Sequence, residues 1–406
     1  MKQHSPRQIG LLYLGLEGVG TFCGSSFHGA VYMDFLMNHL HDYALANGVN
    51  IAFFCTLFLA EIPTGAYADT FGRKSLYVLA SLLWSLGLII YGLSDSFIGF
   101  ATAEAILAIG STCVSGAFGA WLVDSLKHAG MSGDELEAYK ARLFTRENSV
   151  GVVFGIFGSL TGAWIYSLYP PGCWIVSGIL MLGHAILAKY LMQENYFVRK
   201  SHAIRAHWVE LKRKVCASVT FARKDPTIRT LALLSAIQSF ACMGTNMLWQ
   251  PLFKEHVSVF WLAGLLSLWM VCGAVGGEVA LRFGGTKTEP ISTLKRSMVW
   301  TGILVIASAV CPFPFSLILF TLSQIPRGVF GPVSQTTIHR MITDSEIRAT
   351  TESCAKMAHH IGGAIGLGLS GLSAKYAGIP VTWAWSGASL ALGAWWLCRR
   401  YRKLRE

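Results

Sequence analysis

The chain has 406 residues, of which 53% are hydrophobic and only 14% charged, whereas a soluble domain carries roughly a quarter charged residues. That balance excludes an ordinary water-soluble globular protein and places the chain in lipid. The formal net charge of +11 raises nucleic acid as a partner, but the placement of the basic residues, described below, speaks against it.

A bilayer-crossing helix needs about 20 mostly apolar residues, and such runs predict twelve transmembrane helices. In the first half they are 9–34, 48–67, 75–93, 97–126, 148–168 and 174–192. In the second they are 230–253, 257–281, 298–311, 315–338, 351–376 and 381–398. The first run is too long for a signal peptide and continues without a small-residue cleavage site, so a retained helix is expected. The polar stretch between the halves predicts three parts: an N-terminal six-helix bundle over 1–193, a linker over 194–229 and a C-terminal six-helix bundle over 230–406.

Ionisable side chains inside a bilayer cost roughly 2.5–3.5 kcal/mol each on insertion scales, so each requires a partner or a purpose. In the first predicted helix Glu17, Thr21, Gly24 and His28 recur at helical spacing, and Tyr32 continues their face. A carboxylate and an imidazole on such a stripe suit proton binding and release; helix packing around a satisfied glutamate is the plain alternative. Asp34 is read as a cap at the interface.

Between the second and third helices runs Gly65-Ala66-Tyr67-Ala68-Asp69-Thr70-Phe71-Gly72-Arg73-Lys74, preceded by Glu61-Ile62-Pro63. Its glycines permit a sharp turn, Asp69 suits a helix N-terminus, and Arg73 and Lys74 suit anionic headgroups. Glu104 lies about two turns into the fourth helix, with Ser111 and Ser115 on its face; an acid there suits a cation or a coupling proton. Asp124 closes that helix. The charged stretch 127–147 predicts a further helix, acidic at Asp134, Glu135 and Glu137 and basic at Lys140, Arg142 and Arg146. Gly151, Gly155, Gly158 and Gly162 in the fifth helix predict close helix packing.

The basic run from Arg199 to Arg229 predicts a solvated or headgroup-facing linker. In the seventh helix Gln238, Cys242, Thr245, Asn246 and Trp249 share one side, giving hydrogen-bonding groups and an aromatic platform or, equally, a packing face. Gly277 to Gly284 repeats the glycine spacing of the first loop without its aspartate, and Glu278 stands four residues before Arg282, as a helix ion pair would. The tenth helix carries a deeply placed Arg327 among Pro326, Gly328, Gly331 and Pro332, which loosen the helix. Arg327 is expected to pair with Glu17 or Glu104, to form a structural salt bridge, or to bind a substrate carboxylate bidentately. Lys356, His359 and His360 open the eleventh helix; a metal site is not expected there. The ten cysteines are scattered without a C-x-x-C pattern and are read as packing residues. Nearly all of the 33 Lys and Arg fall in the even loops, the N-terminal stub and the tail from Arg399 to Arg405, while Lys254 and Lys375 fall in external loops. That asymmetry predicts cytoplasmic termini and no nucleic-acid partner.

The stretch from Gly65 to Lys74 resembles the loop signature G-x3-D-x2-G-[RK]-[RK] of major facilitator superfamily transporters, and Glu61-Ile62-Pro63 before it strengthens the likeness. Trp249-Gln250-Pro251 and Arg348-Ala349-Thr350 with Ser353 are softer echoes. The resemblance implies an all-α integral membrane protein with twelve helices in two pseudo-symmetric six-helix bundles. It implies an inner-gate latch of Gly65, Asp69, Gly72, Arg73 and Lys74, with Asp124 the acidic partner of Arg73, none of them touching substrate. The fifth helix lacks the proline of the antiporter signature found in many drug exporters.

A secondary transporter, not an enzyme, follows, with no G-x4-G-K-[ST] nucleotide loop. The expected activity is proton-coupled export of a small amphipathic or cationic compound; the alternative is proton-coupled uptake or specific export of a polar or anionic metabolite. Substrate or proton binding is expected at Glu17, His28, Glu104, Asn246, Trp249 and Arg327, with H+ as coupling ion and no cofactor or metal. A monomer in the plasma (inner) membrane of a bacterium completes the expectation.

Overall fold

The computed structural model describes residues 4–196, 225–284, 289–341 and 345–405, with side chains described except at 61–71, 116, 283–284, 339–341, 345–350, 353–354 and 403–405. The described residues form helices α1 (Pro6–Cys23), α2 (Ser25–Gly29), α3 (Tyr32–Leu40), α4 (Tyr43–Phe71), α5 (Arg73–Leu93), α6 (Phe97–His128), α7 (Gly133–Leu168) and α8 (Pro170–Leu191). After the linker come α9 (Pro226–Lys254), α10 (Val259–Gly284), α11 (Pro290–Val310), α12 (Phe315–Arg327), α13 (Phe330–Met341), α14 (Ser345–Ala377) and α15 (Ile379–Arg405).

Local chemistry starts several of them. Ser5 caps α1 through a capping box with Gln8, Ser96 accepts from Gly99 N at the head of α6, and Asp225 accepts from Thr227 N and Ile228 N at the head of α9. Pro6, Pro170, Pro226 and Pro290 stand in the first turn, where a missing N–H leaves no bond unmade.

Eight described helices are long and apolar enough to cross a membrane, and at most 53% of the residues in any of those spans are buried inside the protein. Their outward faces carry Phe157, Trp164, Ile186, Val275 and Trp300, all more than a third exposed. A surface this apolar along spanning helices is a lipid-facing surface.

The twelve expected continuous spans are corrected in two places. The first run is cut into α1, α2 and α3 at Gly24 and after Gly29, and the tenth into α12 and α13 at Gly328. At the second break two backbones come close: a Cβ on Gly328 would overlap the carbonyl oxygen of Gly273, and one on Gly276 of α10 that of Ile325. The expected charged helix over 127–147 is the first part of α7, with Asp134 and Glu135 in its first turn.

The chain divides into two compact units. The first holds 1–35, 56–207 and 259–267; the second holds 36–55, 208–258 and 268–406. The core of the first stacks Phe118 between the rings of Tyr13 and Tyr77, at 4.5 and 4.3 Å, with Leu16, Trp121 and Leu122 around them. In the same unit the expected close packing of the glycine-rich helix is present, since Cβ atoms on Gly158 and Gly162 of α7 would meet the carbonyl oxygens of Phe22 and Phe27. The core of the second unit gathers Leu231, Leu234, Leu294, Met298, Leu390 and Leu397. The expected basic linker run lies outside the described residues for most of its length.

Candidate transport sites

Within the first unit, α1, α5, α6 and α8 enclose a cavity of about 240 Å³ lined by Glu17, Thr21, Tyr77, Trp84, Ser111 and His184 among others. That is slightly below the roughly 300–1,000 Å³ of most small-molecule pockets. Glu17 is placed by α1, one turn before Thr21, whose hydroxyl donates to its Oε1 at 3.2 Å. Glu17, Thr21 and Gly24 thus share the lining, as their spacing predicts.

His28 does not. The break at Gly24 moves it onto α2, where it is buried and stacked on Trp174 at 4.2 Å, so the expected continuous stripe ends at the break. The imidazole at the cavity is His184 of α8. Its Nε2 lies 3.1 Å from Leu16 O and 3.4 Å from the Tyr77 hydroxyl, and its Nδ1 lies 3.3 Å from Ser81 Oγ. Because a carbonyl only accepts, the Leu16 contact puts a proton on Nε2, while Ser81 Oγ, beside Nδ1, donates to Tyr77 O at 3.1 Å.

Glu104 is buried, and the Tyr32 hydroxyl donates to its Oε1 at 2.6 Å. The rings of Tyr32, Tyr91 and Trp174 surround that bond, with Tyr91 stacked on Trp174 at 4.0 Å. Among the described residues, two polar atoms of this cluster, His28 Nδ1 and Trp174 Nε1, have no hydrogen-bond partner. Ser111 faces the Glu17 cavity, while Ser115 closes on its own helix through Thr112 O. Asp34, read as a cap at the interface, stands in the first turn of α3, is buried, and accepts from the Tyr166 hydroxyl at 2.7 Å. An aromatic wall shields it from water, which sequence alone does not show.

The loop between α4 and α5 turns at Gly72, whose φ of 91° is costly for any residue with a Cβ. Arg73 Nε then donates to Asp124 Oδ2 at 2.7 Å. Glu194, just beyond α8, accepts from the backbone N–H groups of Arg73 and Lys74 at 2.8 and 3.0 Å, placing a carboxylate at the positive end of α5. Trp121 Nε1 donates to Gln193 O at 3.0 Å, and Ser125 Oγ and Tyr196 Oη are 2.9 Å apart. Gly65 and Asp69 of the expected latch lie outside the described side chains.

In the second unit Arg327, at the end of α12, donates to Asn246 Oδ1 at 2.6 Å and to Gln324 Oε1 at 3.4 Å. Among the described residues it forms no ion pair. Both acceptors are neutral amide oxygens. Trp249 is buried edge-on to Trp269 at 4.7 Å, as core packing. Glu278 and Arg282 form the expected helix pair, at 2.6 Å.

Sequence reasoning passed over Tyr13, Glu147, His184 and Glu194. A signal existed for His184, an isolated ionisable residue within an apolar run. Glu147 and Glu194 stand among other charges and carried none.

Long apolar helices with a lipid-facing surface define a multi-pass membrane protein. The model of the Major Facilitator Superfamily matches residues 18–321, and the chain belongs to that superfamily; it is a secondary transporter. Its fold is similar to that of a variant of the nucleoside transporter NupG (TM-score 0.77, 16% identity, covering 96% of this chain and 99% of that one). A bacterial homologue of the human lysosomal transporter Spinster is also similar (0.75, 15%, 99% and 98%), as is a POT family transporter in complex with 5-aminolevulinic acid (0.73, 13%, 99% and 97%). At these identities the likeness is one of fold. No curated protein matches the chain in sequence.

Proposed function

We propose that this transporter exports a small amphipathic or cationic organic compound in exchange for protons. The observation that carries this reading is the Glu17 carboxylate on the wall of the first unit's cavity, with Trp84 and Tyr77 beside it. A carboxylate with aromatic faces attracts a cation electrostatically and through the ring quadrupole, and the same carboxylate loses that attraction when protonated. Solute and proton then compete for one charge, which is the elementary requirement of exchange. Glu104 is a second protonatable carboxyl, held by Tyr32.

The two sequence halves, 1–193 and 230–406, joined by 194–229, are the bodies that rock. The Arg73–Asp124 ion pair belongs to the latch that holds one end of the first, with Asp69 part of it. The distribution of Lys and Arg supports cytoplasmic termini and a plasma (inner) membrane location, and a single chain suffices for the cycle.

Arg327 favours a second reading. With Asn246 and Gln324 as its side-chain partners among the described residues, it is equipped to clamp a carboxylate or phosphate, as transport of an anionic metabolite requires.

The test is accumulation of a fluorescent lipophilic cation in cells stripped of their own exporters. Expression should lower accumulation, and a protonophore, Glu17→Gln or Asp69→Asn should restore it. Export unchanged by Glu17→Gln sinks the assignment of that carboxylate. No export by the expressed wild type, together with loss of anion uptake in Arg327→Lys, selects the second reading.

A further inference from the structure

Glu147 has no place in the reading above, yet it makes one of the shortest side-chain hydrogen bonds in the first unit. The hydroxyl of Tyr13 on α1 donates to Glu147 Oε2 on α7 at 2.6 Å. Tyr13 is only 2% exposed, and its ring is fixed by stacking on Phe118. It stands one helical turn before Glu17, on the same face of α1, so the residue bonded to Glu147 is the helical neighbour of the carboxyl that lines the cavity.

The surroundings of the two acids differ. Glu147 is half-buried and flanked along α7 by exposed Arg146 and Asn148, whereas Glu17 sits between buried Leu16 and Gly18. Glu17 lines the cavity and Glu147 does not. The titratable or charged groups facing them are Tyr13 on α1 and Tyr77 on α5, the latter backed by His184 of α8. α6 contributes the Phe118 ring there, and Arg142 and Arg146 lie on α7 itself, with Arg142 Nε turned back onto Ala138 O. Among the described residues neither Glu17 nor Glu147 forms an ion pair. Tyr13 is bonded to one carboxyl and stands one turn from the other, and the salt bridges of the described residues place no cation on either.

We propose that Glu147 and Glu17 form a proton-loading pair bridged by Tyr13, in which Glu147 takes the proton from water and Glu17 presents it to the transported solute. This rests on the proton-coupled reading. Loading converts the Glu147 carboxylate to the acid. Transfer then leaves Glu147 ionised, accepting again from Tyr13, and Glu17 neutral, so the charge of the pair is the same before and after transfer and no other reactant is needed.

The experiment is an infrared pH titration of the carboxylic-acid C=O band of the purified full-length protein in lipid nanodiscs, for the wild type and for Glu17→Gln, Glu147→Gln and Tyr13→Phe. Difference spectra against Glu17→Gln isolate Glu17. The pair predicts that Glu147→Gln moves the Glu17 midpoint to lower pH by about one unit, because a like charge is removed. Tyr13→Phe should move the Glu147 band to higher pH, because a donor to the carboxylate is lost. A Glu17 midpoint unmoved by Glu147→Gln overturns the pair, and a Glu147 band unmoved by Tyr13→Phe overturns the bridge. If Glu147→Gln does not fold, the Tyr13→Phe titration still decides. Coupled titration in a protein whose export ignores the pH gradient upholds the pair and removes only the proton-coupled reading.

Discussion

Two glycines on one helix separate packing from propensity. At Gly162 of α7 an added Cβ overlaps the backbone carbonyl oxygen of Phe27, whereas at Gly151, eleven residues earlier, it meets nothing within 4 Å. A carbonyl cannot swing aside as a side chain can, so Gly162→Ala must push α2 away from α7. Overpacking of this kind costs typically about 1–3 kcal/mol, and a rigid backbone neighbour puts the expectation at the upper end. Gly151→Ala carries no clash and gains about 0.5–1 kcal/mol of helix preference. The two alanines should therefore differ by about 3 kcal/mol, the first lowering and the second holding or raising the unfolding temperature of the purified protein in detergent. Equal melting of Gly162→Ala and wild type would refute the close approach of α2 and α7, and with it the break in the first helix that removes His28 from the cavity.

Three other outcomes follow from the bonds described. Arg73 and Asp124 are 28% and 35% exposed as side chains, so their coupling in a double-mutant cycle of Arg73→Gln and Asp124→Asn should be about 1 kcal/mol; zero coupling would make the pair incidental. Tyr166→Phe deletes a donor to the buried Asp34 carboxyl and should cost about 1.5–3 kcal/mol of thermal stability, a loss that an unchanged melt would deny. Lys375 Nζ bonds Asp42 Oδ2 at 2.6 Å, and that bond holds the Asp42 carboxyl below its ordinary 3.8 and the Lys375 amine above its ordinary 10.5. A depressed carboxyl stabilises the fold above its unfolded pKa and loses that contribution as pH falls through the folded value, while a raised amine loses its contribution as pH rises through the folded value. The stability difference between wild type and Lys375→Met should thus be flat between those limits and shrink outside both; a difference that changes near neutral pH would point to another group.

The parts of this protein that hydropathy and local motif define were legible in the sequence: helical spans, the turn at Gly72, the glycine face of α7 and the Glu278–Arg282 pair. What escaped depends on where a helix stops being one helix. A hydropathy window averages over Gly24 and Gly328 alike, so Glu17 and His28 read as one stripe although a break divides them, and the bond from Tyr166 to Asp34 does not show. Partners far apart in sequence escaped for a related reason. Glu147 and Glu194 are ordinary charges at helix ends until Tyr13 and the α5 amides are brought to them, and nothing in their own neighbourhoods marks that meeting.

The central claim is exchange of an organic cation for protons through Glu17, and purified protein in sealed proteoliposomes tests it without the cell. An imposed pH gradient should drive a fluorescent lipophilic cation against its own gradient, and adding the cation without a pH gradient should release protons from the opposite side. Both signals should vanish in Glu17→Gln while the protein stays folded. Cation movement that proceeds equally with and without the gradient, or that survives Glu17→Gln, would contradict the account.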